Sequence, residues 1–110
     1  MAREALGLLQ GTVDVLILKT LTAGPMHGYA ISQWIRERTD GALAVEDAAL
    51  YQALHRLERK GWVDAEWGLS DTNRRAKFYH LTRDGRKQLQ SDIAELRRYV
   101  EALFKVLLPA

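Results

Sequence analysis

The stretch Trp62–Lys87, "WVDAEWGLSDTNRRAKFYHLTRDGRK", decides the fold. Upstream of it apolar residues recur at helical spacing, and inside it the period drops to two. In "WVDAEWG", Val63, Ala65 and Trp67 alternate with Asp64 and Glu66, the pattern of a half-buried strand. "LSDTN" has the composition of a hairpin tip. In "AKFYHLT", Lys77, Tyr79 and Leu81 alternate with Phe78 and His80, which gives a return strand. Thr82 then stands where it can cap a further helix. From Asn73 to Lys87 the chain gathers six basic residues, Arg74, Arg75, Lys77, Arg83, Arg86 and Lys87, around the single acid Asp84. The net charge of all 110 residues is only +2, so this hairpin concentrates positive charge that the composition as a whole lacks.

Three helices precede the hairpin. Residues 12–22 read as the first, with Thr12 as cap and Asp14 in the first turn, where negative charge is favoured. One apolar row runs Val13, Ile17, Leu21 and a second runs Leu8, Val15, Leu18, so this helix is expected to be covered on two sides. Gly24-Pro25 ends it. The second helix is predicted over 27–39, with Ile31, Trp34 and Ile35 inward, and Asp40-Gly41 turns the chain. The third is predicted over 46–60, begun by Glu46 and Asp47, stopped by Gly61, and buried along Leu50, Leu54 and Leu57. After the hairpin a last helix is predicted over 83–107, about 37 Å long at 1.5 Å per residue. The order describes a mostly α chain with a small β-hairpin: a winged helix-turn-helix over 1–81 and a long dimerisation helix over 82–110.

Composition narrows the function classes. The apolar fraction is that of an ordinary globular domain, and 110 residues suffice for one modest core. Without cysteine there are no disulfides, thiolate metal sites or thiol nucleophiles, which fits a cytoplasmic protein. The apolar run "VDVLILKTLTAG" is broken by Asp14 and Lys19 and is too short for a membrane span. His27, His55 and His80 lack metal-ligand spacing. Ser32, Ser70 and Ser91 lie in no nucleophile motif, and no glycine-rich phosphate loop exists. Neither an enzyme nor a metal or cofactor is expected. Trp34, Trp62 and Trp67 read as core or hairpin packing, with stacking of a flat ligand as the other use.

The basic hairpin and the third helix point instead to double-stranded DNA. A wing bearing Asn73, Arg74, Arg75 and Lys77 gains affinity for phosphates by counterion release, and inserted Arg is drawn to a narrow minor groove. With Leu50, Leu54 and Leu57 inward, the opposite face of the third helix carries Ala48, Gln52 and Arg59, flanked by Ala49, His55 and Arg56. Small residues permit close approach to the groove, Gln can bond adenine through two hydrogen bonds, and Arg can bond guanine or phosphate. The competing classes are a winged helix that binds protein rather than DNA, and a ligand-sequestering protein.

"GTVDVLILKTLTAGPMHGYAISQWI", "LYQALHRLERKGWV" and "RRAKFYHLTRDGRK" together resemble the PadR family of bacterial transcriptional regulators, over about residues 9–90. The single C-terminal helix resembles the family's smaller subgroup. The resemblance implies a homodimeric transcription factor, usually a repressor released by a small molecule. It also implies that Tyr51 contacts the DNA backbone, that Tyr29 helps hold a phosphate, and that Arg75 and Lys77 are basic wing positions. Two residues depart from the pattern. Ala49 stands where the family often has Thr, and Gln52 where it often has Pro.

In the last helix Leu89, Ile93, Leu96, Val100, Leu103 and Leu107 are spaced alternately by four and three, a seam that asks for a partner helix. Val15 and Leu18 of the first helix are expected beside it. The expected partners are therefore an operator, a second copy of the chain, and a small aromatic or hydrophobic effector seated between the helices.

Overall fold

In the computed structural model, which describes residues 11–109, the element order is α1 (Thr12–Thr20), β1 (Met26–His27), α2 (Gly28–Arg38), α3 (Asp47–Arg59), β2 (Val63–Leu69), β3 (Arg75–Leu81) and α4 (Arg83–Leu107). Leu8, expected in the second row of α1, lies outside the described residues. The cap of α1 lies one residue before the expected one: Gly11, at φ 85°, occupies the N-cap, and Thr12 is the first helical residue. It also ends earlier, at Thr20, where Leu21–Ala23 tightens into a 3-10 turn before Gly24.

The hairpin is part of a three-stranded antiparallel sheet of order β1-β3-β2. The two-residue β1 pairs with β3 through Met26 opposite Tyr79 and His27 opposite Phe78. A strand this short shows no alternation, and in "GPMHG" it is masked by helix-stop and helix-start signals. Its effect is to place β3 in the middle of the sheet, covered on both edges. The pairing of β2 with β3 runs from Val63 opposite Leu81 to Leu69 opposite Arg75. The tip is closed by Asn73 N–H to Ser70 carbonyl (2.8 Å) and Ser70 N–H to Arg74 carbonyl (2.8 Å). Asn73 takes φ 60°, the left-handed conformation that closes a hairpin of this length and that Asn tolerates.

The core joins all the helices to the sheet: Ile17, Leu18 and Leu21 from the first segment, Ile31 and Ile35 from α2, Leu50, Ala53, Leu54 and Leu57 from α3, then Val63, Tyr79, Leu81 and Leu89. The stripes predicted for α2 and α3 are therefore the observed ones, with Trp34 half-buried at the edge. Val45, in the connection before α3, adds an apolar plug that no periodicity announces.

The start of α4 is fastened to the end of α3. The α3 C-terminus closes with Trp62 N–H to Leu57 carbonyl (3.0 Å) and Gly61 N–H to Glu58 carbonyl (3.0 Å), with Gly61 at φ 76°. Thr82 then donates its hydroxyl to the Gly61 carbonyl (2.7 Å) and its N–H to the Trp62 carbonyl (3.1 Å). The same Thr82 hydroxyl caps α4 by accepting from Gly85 N–H (3.0 Å). Gly85 packs so closely that a Cβ would overlap the Trp62 carbonyl oxygen and press on Leu81. Gly85→Ala is therefore expected to cost roughly 2–3 kcal/mol by overpacking, and Thr82→Ala about 1 kcal/mol through the lost cap. Urea unfolding midpoints measure both, and a Gly85→Ala protein as stable as the parent would show that the contact relaxes freely.

Candidate nucleic-acid interface

At about 100° per residue, α3 divides into four sides. Leu50, Ala53, Leu54 and Leu57 are buried. Ala48, Gln52, His55 and Arg59 form the opposite, exposed side. None of the polar side chains on that side has a hydrogen-bond or ion-pair partner among the described residues, so their donors and acceptors are free. The two flanks are occupied by ion pairs. On one, Arg56 donates to Asp14 of α1 at 2.7 Å. On the other, Lys77 of β3 donates to Glu58 at 3.1 Å. Arg56 and Lys77, both expected at a DNA surface, thus already have carboxylate partners within the chain.

Next to α3, which contributes Tyr51 to its wall, lies an open hollow of about 1010 Å³ between the N-terminus of α2 and the hairpin. Tyr29, Tyr51, Arg74, Arg75 and Lys77 all contribute to its walls. The N-terminus of α2 supplies free backbone N–H groups and positive dipole there. His27 caps it, its Nδ1 accepting from Ala30 N–H at 3.2 Å, and the imidazole packs edge-on against Phe78 with centroids 5.4 Å apart. Tyr29, 67% exposed, accepts a hydrogen bond from Gln33 Nε2 at 2.7 Å, which leaves its own phenol hydrogen free to donate. Tyr51 reaches across from α3 to the start of α2. A Cβ on Gly28 would lie 2.6 Å from the Tyr51 hydroxyl, so glycine is the residue that admits this ring. The "HGY" segment is thereby explained: His27 caps, Gly28 admits Tyr51, and Tyr29 projects into the hollow.

The hairpin arranges its basic residues unequally. Arg74 stands at the tip with no side-chain partner among the described residues. The Arg75 guanidinium lies 4.8 Å from the centroid of the Trp67 ring, a cation–π contact that steadies it while leaving its N–H edge free. Trp67 is 59% exposed and lines the hollow, so it is part of this surface and not of the core. Sequence patterning placed it on the correct face of the strand, but alternation does not tell how far along a hairpin the core extends. Asn73 is held by its turn, and its position there follows from backbone geometry. Glu58 and Gly28 were not anticipated: an acid on a helix flank and a glycine before a tyrosine carry no signal until the hairpin and α3 are placed around them.

Of the residues expected between subunits, Leu18 and Leu89 are instead buried within the chain's own core, because α1 lies across the first turns of α4. Val15 is half-buried. Ile93, Leu96, Val100, Leu103 and Leu107 remain exposed, from 38% to 66%. Among the described residues no group of acidic or histidine side chains could hold a metal ion, and no helix is long and apolar enough to cross a membrane.

Residues 17–91 match the Transcriptional regulator PadR-like family. The chain belongs to this family. A transcriptional regulator from Clostridium thermocellum has the same fold, with a TM-score of 0.80 and 32% identity over 87% of this chain and 93% of that one. A protein of Lysinibacillus sphaericus described as uncharacterised is 31% identical over 91% of this chain and 94% of its own length. Bacillus subtilis PadR, solved in complex with operator DNA, superposes with a TM-score of 0.67 over 74% of this chain and 46% of that one, at 23% identity. The family match from 17 to 91 takes in α2, α3 and the hairpin, and the chain is a PadR-family transcriptional regulator with the winged-helix fold.

Tyr79 lies beneath this PadR wing, 6% exposed, with the Lys77 ammonium 5.6 Å above its ring centroid. Burial raises the Tyr79 phenol above its ordinary 10.0, against a lowering by Lys77. The hydrogen bond from Lys77 to Glu58 raises the Lys77 ammonium above its ordinary 10.5. Both groups hold their protons longer folded than unfolded. The unfolded chain therefore releases protons first, and their contribution to stability is present below about pH 10 and lost as pH rises through the folded values. Denaturation midpoints are expected to fall as pH passes about 10, and the fall should be shallower in Tyr79→Phe. An identical alkaline profile in Tyr79→Phe would remove Tyr79 as a contributor.

Proposed function

We propose that this PadR-family regulator is a DNA-binding repressor, acts as a homodimer, and leaves its operator when a small aromatic or hydrophobic effector binds. The observation that carries the reading is the free side of α3, on a helix whose Tyr51 also lines the hollow. Gln52, His55 and Arg59 offer donors and acceptors with no internal partner, and small Ala48 near the helix N-terminus lets the backbone approach the base edges. In the hollow, the α2 N-terminus, Tyr29, Tyr51 and Arg75 converge as a seat for the phosphate backbone. Arg74 at the tip extends the grip to the next phosphate or the minor groove. The solved complex of Bacillus subtilis PadR with operator DNA supports a nucleic-acid partner for this fold.

The exposed seam of α4 supports the dimer. Five apolar side chains, Ile93, Leu96, Val100, Leu103 and Leu107, follow heptad spacing along a helix whose later turns the chain itself does not cover. A second α4 laid against them, with Val15 at the edge, removes that surface from water. Two copies joined this way hold two α3 helices for successive major grooves, about 34–36 Å apart. The effector reading rests on a hollow of about 440 Å³ between α1 and α4, lined by Val15, Trp62, Leu96 and Tyr99 together with the charged Asp14, Lys60, Asp92 and Glu95. A ligand wedged there changes the angle between α4 and the DNA-binding half, and with it the spacing of the two α3 helices. On this reading residues 1–81 bind DNA and 82–110 pair the subunits.

Selection of bound duplexes from a random pool tests the reading directly. Against the selected operator, Arg74→Ala is expected to weaken binding to all sequences and to reduce the slope of log K against log salt by about 0.9. Gln52→Ala is expected to cost about 1–3 kcal/mol at one base position and relax selectivity there. An unchanged salt slope, or an unchanged selected motif, would remove that residue from the interface. Leu96→Asp sets a charge in the seam and is expected to give monomers that lose tight operator binding. Sedimentation together with a gel shift decides it, and a dimeric Leu96→Asp protein with full affinity would place the subunit interface elsewhere.

A further inference from the structure

Lys77 is the basic wing residue whose charge is already answered. Its ammonium donates to Glu58 Oε1 at 3.1 Å and lies over the Tyr79 ring. Arg74 has no such partner, and Arg75 is stacked on Trp67 with its N–H edge open. The three cations therefore offer DNA different things, and Lys77 offers the least. Its position differs too: Lys77 is on β3, the central strand, paired opposite Trp67 two residues in from the tip end of the ladder, while Arg74 is in the tip.

The acid is the second clue. Glu58 lies on the flank of α3 that faces the wing, close to the walls of the proposed phosphate seat. A carboxylate there repels phosphates unless it is neutralised. We propose that Glu58 and Lys77 are a positioning pair: their ion pair sets the angle of the wing against α3, and Lys77 does not itself bind DNA. This rests on the DNA-binding reading above.

The lever arm shows why such a pair matters. The base of the wing is held by the core and by β1 as far as Phe78 and Tyr79, and Arg74 lies four residues beyond Phe78. At about 3.3 Å per residue that free arm is about 13 Å, so a rotation of about 10° carries Arg74 roughly 2 Å. That displacement is enough to take a guanidinium off a phosphate. A half-exposed ion pair such as this one contributes little to global stability, so the consequence of losing it is read mainly in the wing.

Charge and geometry make opposite forecasts for Glu58→Gln. Removing an acid beside DNA strengthens binding if only the field matters. Loss of the tether weakens it. Operator affinity and salt slope should therefore be measured for the wild type, Glu58→Gln, Lys77→Glu, the swap Glu58→Lys with Lys77→Glu, and Glu66→Gln. Glu66 is an exposed wing acid with no partner among the described residues and controls for charge alone. The expected result is a loss of roughly three- to tenfold in Glu58→Gln, no loss in Glu66→Gln, a larger loss in Lys77→Glu, and recovery in the swap to near wild-type affinity and slope. Thermal melts confirm that each variant is folded. Tighter or equal binding by Glu58→Gln, or a swap no better than Lys77→Glu, overturns the proposal and makes Lys77 a direct phosphate ligand. If the wild type binds no selected duplex, the DNA-binding reading falls and this role falls with it.

Discussion

The junction at Gly61, Trp62, Thr82 and Gly85 holds every functional part in relation to the others. Four segments meet there: the end of α3, the start of β2, the end of β3 and the start of α4. The Thr82 side chain accepts from Gly85 N–H and donates to the Gly61 carbonyl, so one hydroxyl both starts α4 and ties it to α3. Gly61 is needed for its positive φ, and Gly85 for the absence of a Cβ beside the Trp62 carbonyl. The motif "LTRDG" is thus a joint. It ties the end of α3, the base of the wing and the start of α4 to one another.

On that frame α3 is held from both flanks. Arg56 is drawn to Asp14 of α1, and Glu58 to Lys77 of the central strand. The buried stripe fixes the depth of the helix and the two ion pairs fix its roll. The remaining side, with Gln52, His55 and Arg59, is left to solvent with its polar groups unused. On the proposed DNA-binding reading this combination matters, because side chains that discriminate bases lose that ability when the backbone beneath them can rock. Tyr51 adds a contact of the same kind between α3 and α2, at the place where Gly28 opens the α2 backbone to it.

The fold was legible where the chain repeats. Leu50, Leu54 and Leu57 gave α3, the period-two stretches gave β2 and β3, and Thr82 gave the start of α4. Elements too short to have a period were not legible: β1 is two residues, and Val45 is a single plug between helices. The site was legible by residue type and face, which places Gln52, Arg59, Arg74 and Arg75 on exposed surface. What sequence could not show was which charges answer each other. Arg56 and Lys77 look identical in kind to Arg59 and Arg74 until Asp14 and Glu58 are brought beside them, 42 and 19 residues away along the chain. Heptad spacing likewise could not show where the chain's own core stops, which is why Leu89 belongs to the interior and the open seam begins at Ile93.

The separation of α4 into a buried start and an open remainder has a mechanical consequence. Its first turns are fastened to the end of α3 and to the core through Thr82 and Leu89, and its later turns extend beyond the core as a lever. In the proposed dimer, a change in how two such levers cross reaches the two α3 helices through that joint. The hollow between α1 and α4 lies at the fulcrum, bordered by Trp62 of the joint and Leu96 of the seam. On the proposed effector reading, a ligand there needs to move α4 only slightly. At a lever length near 20 Å, a tilt of about 10° displaces the far end by roughly 3–4 Å, about the rise of one base pair, and two α3 helices misplaced by that amount no longer fit successive grooves together.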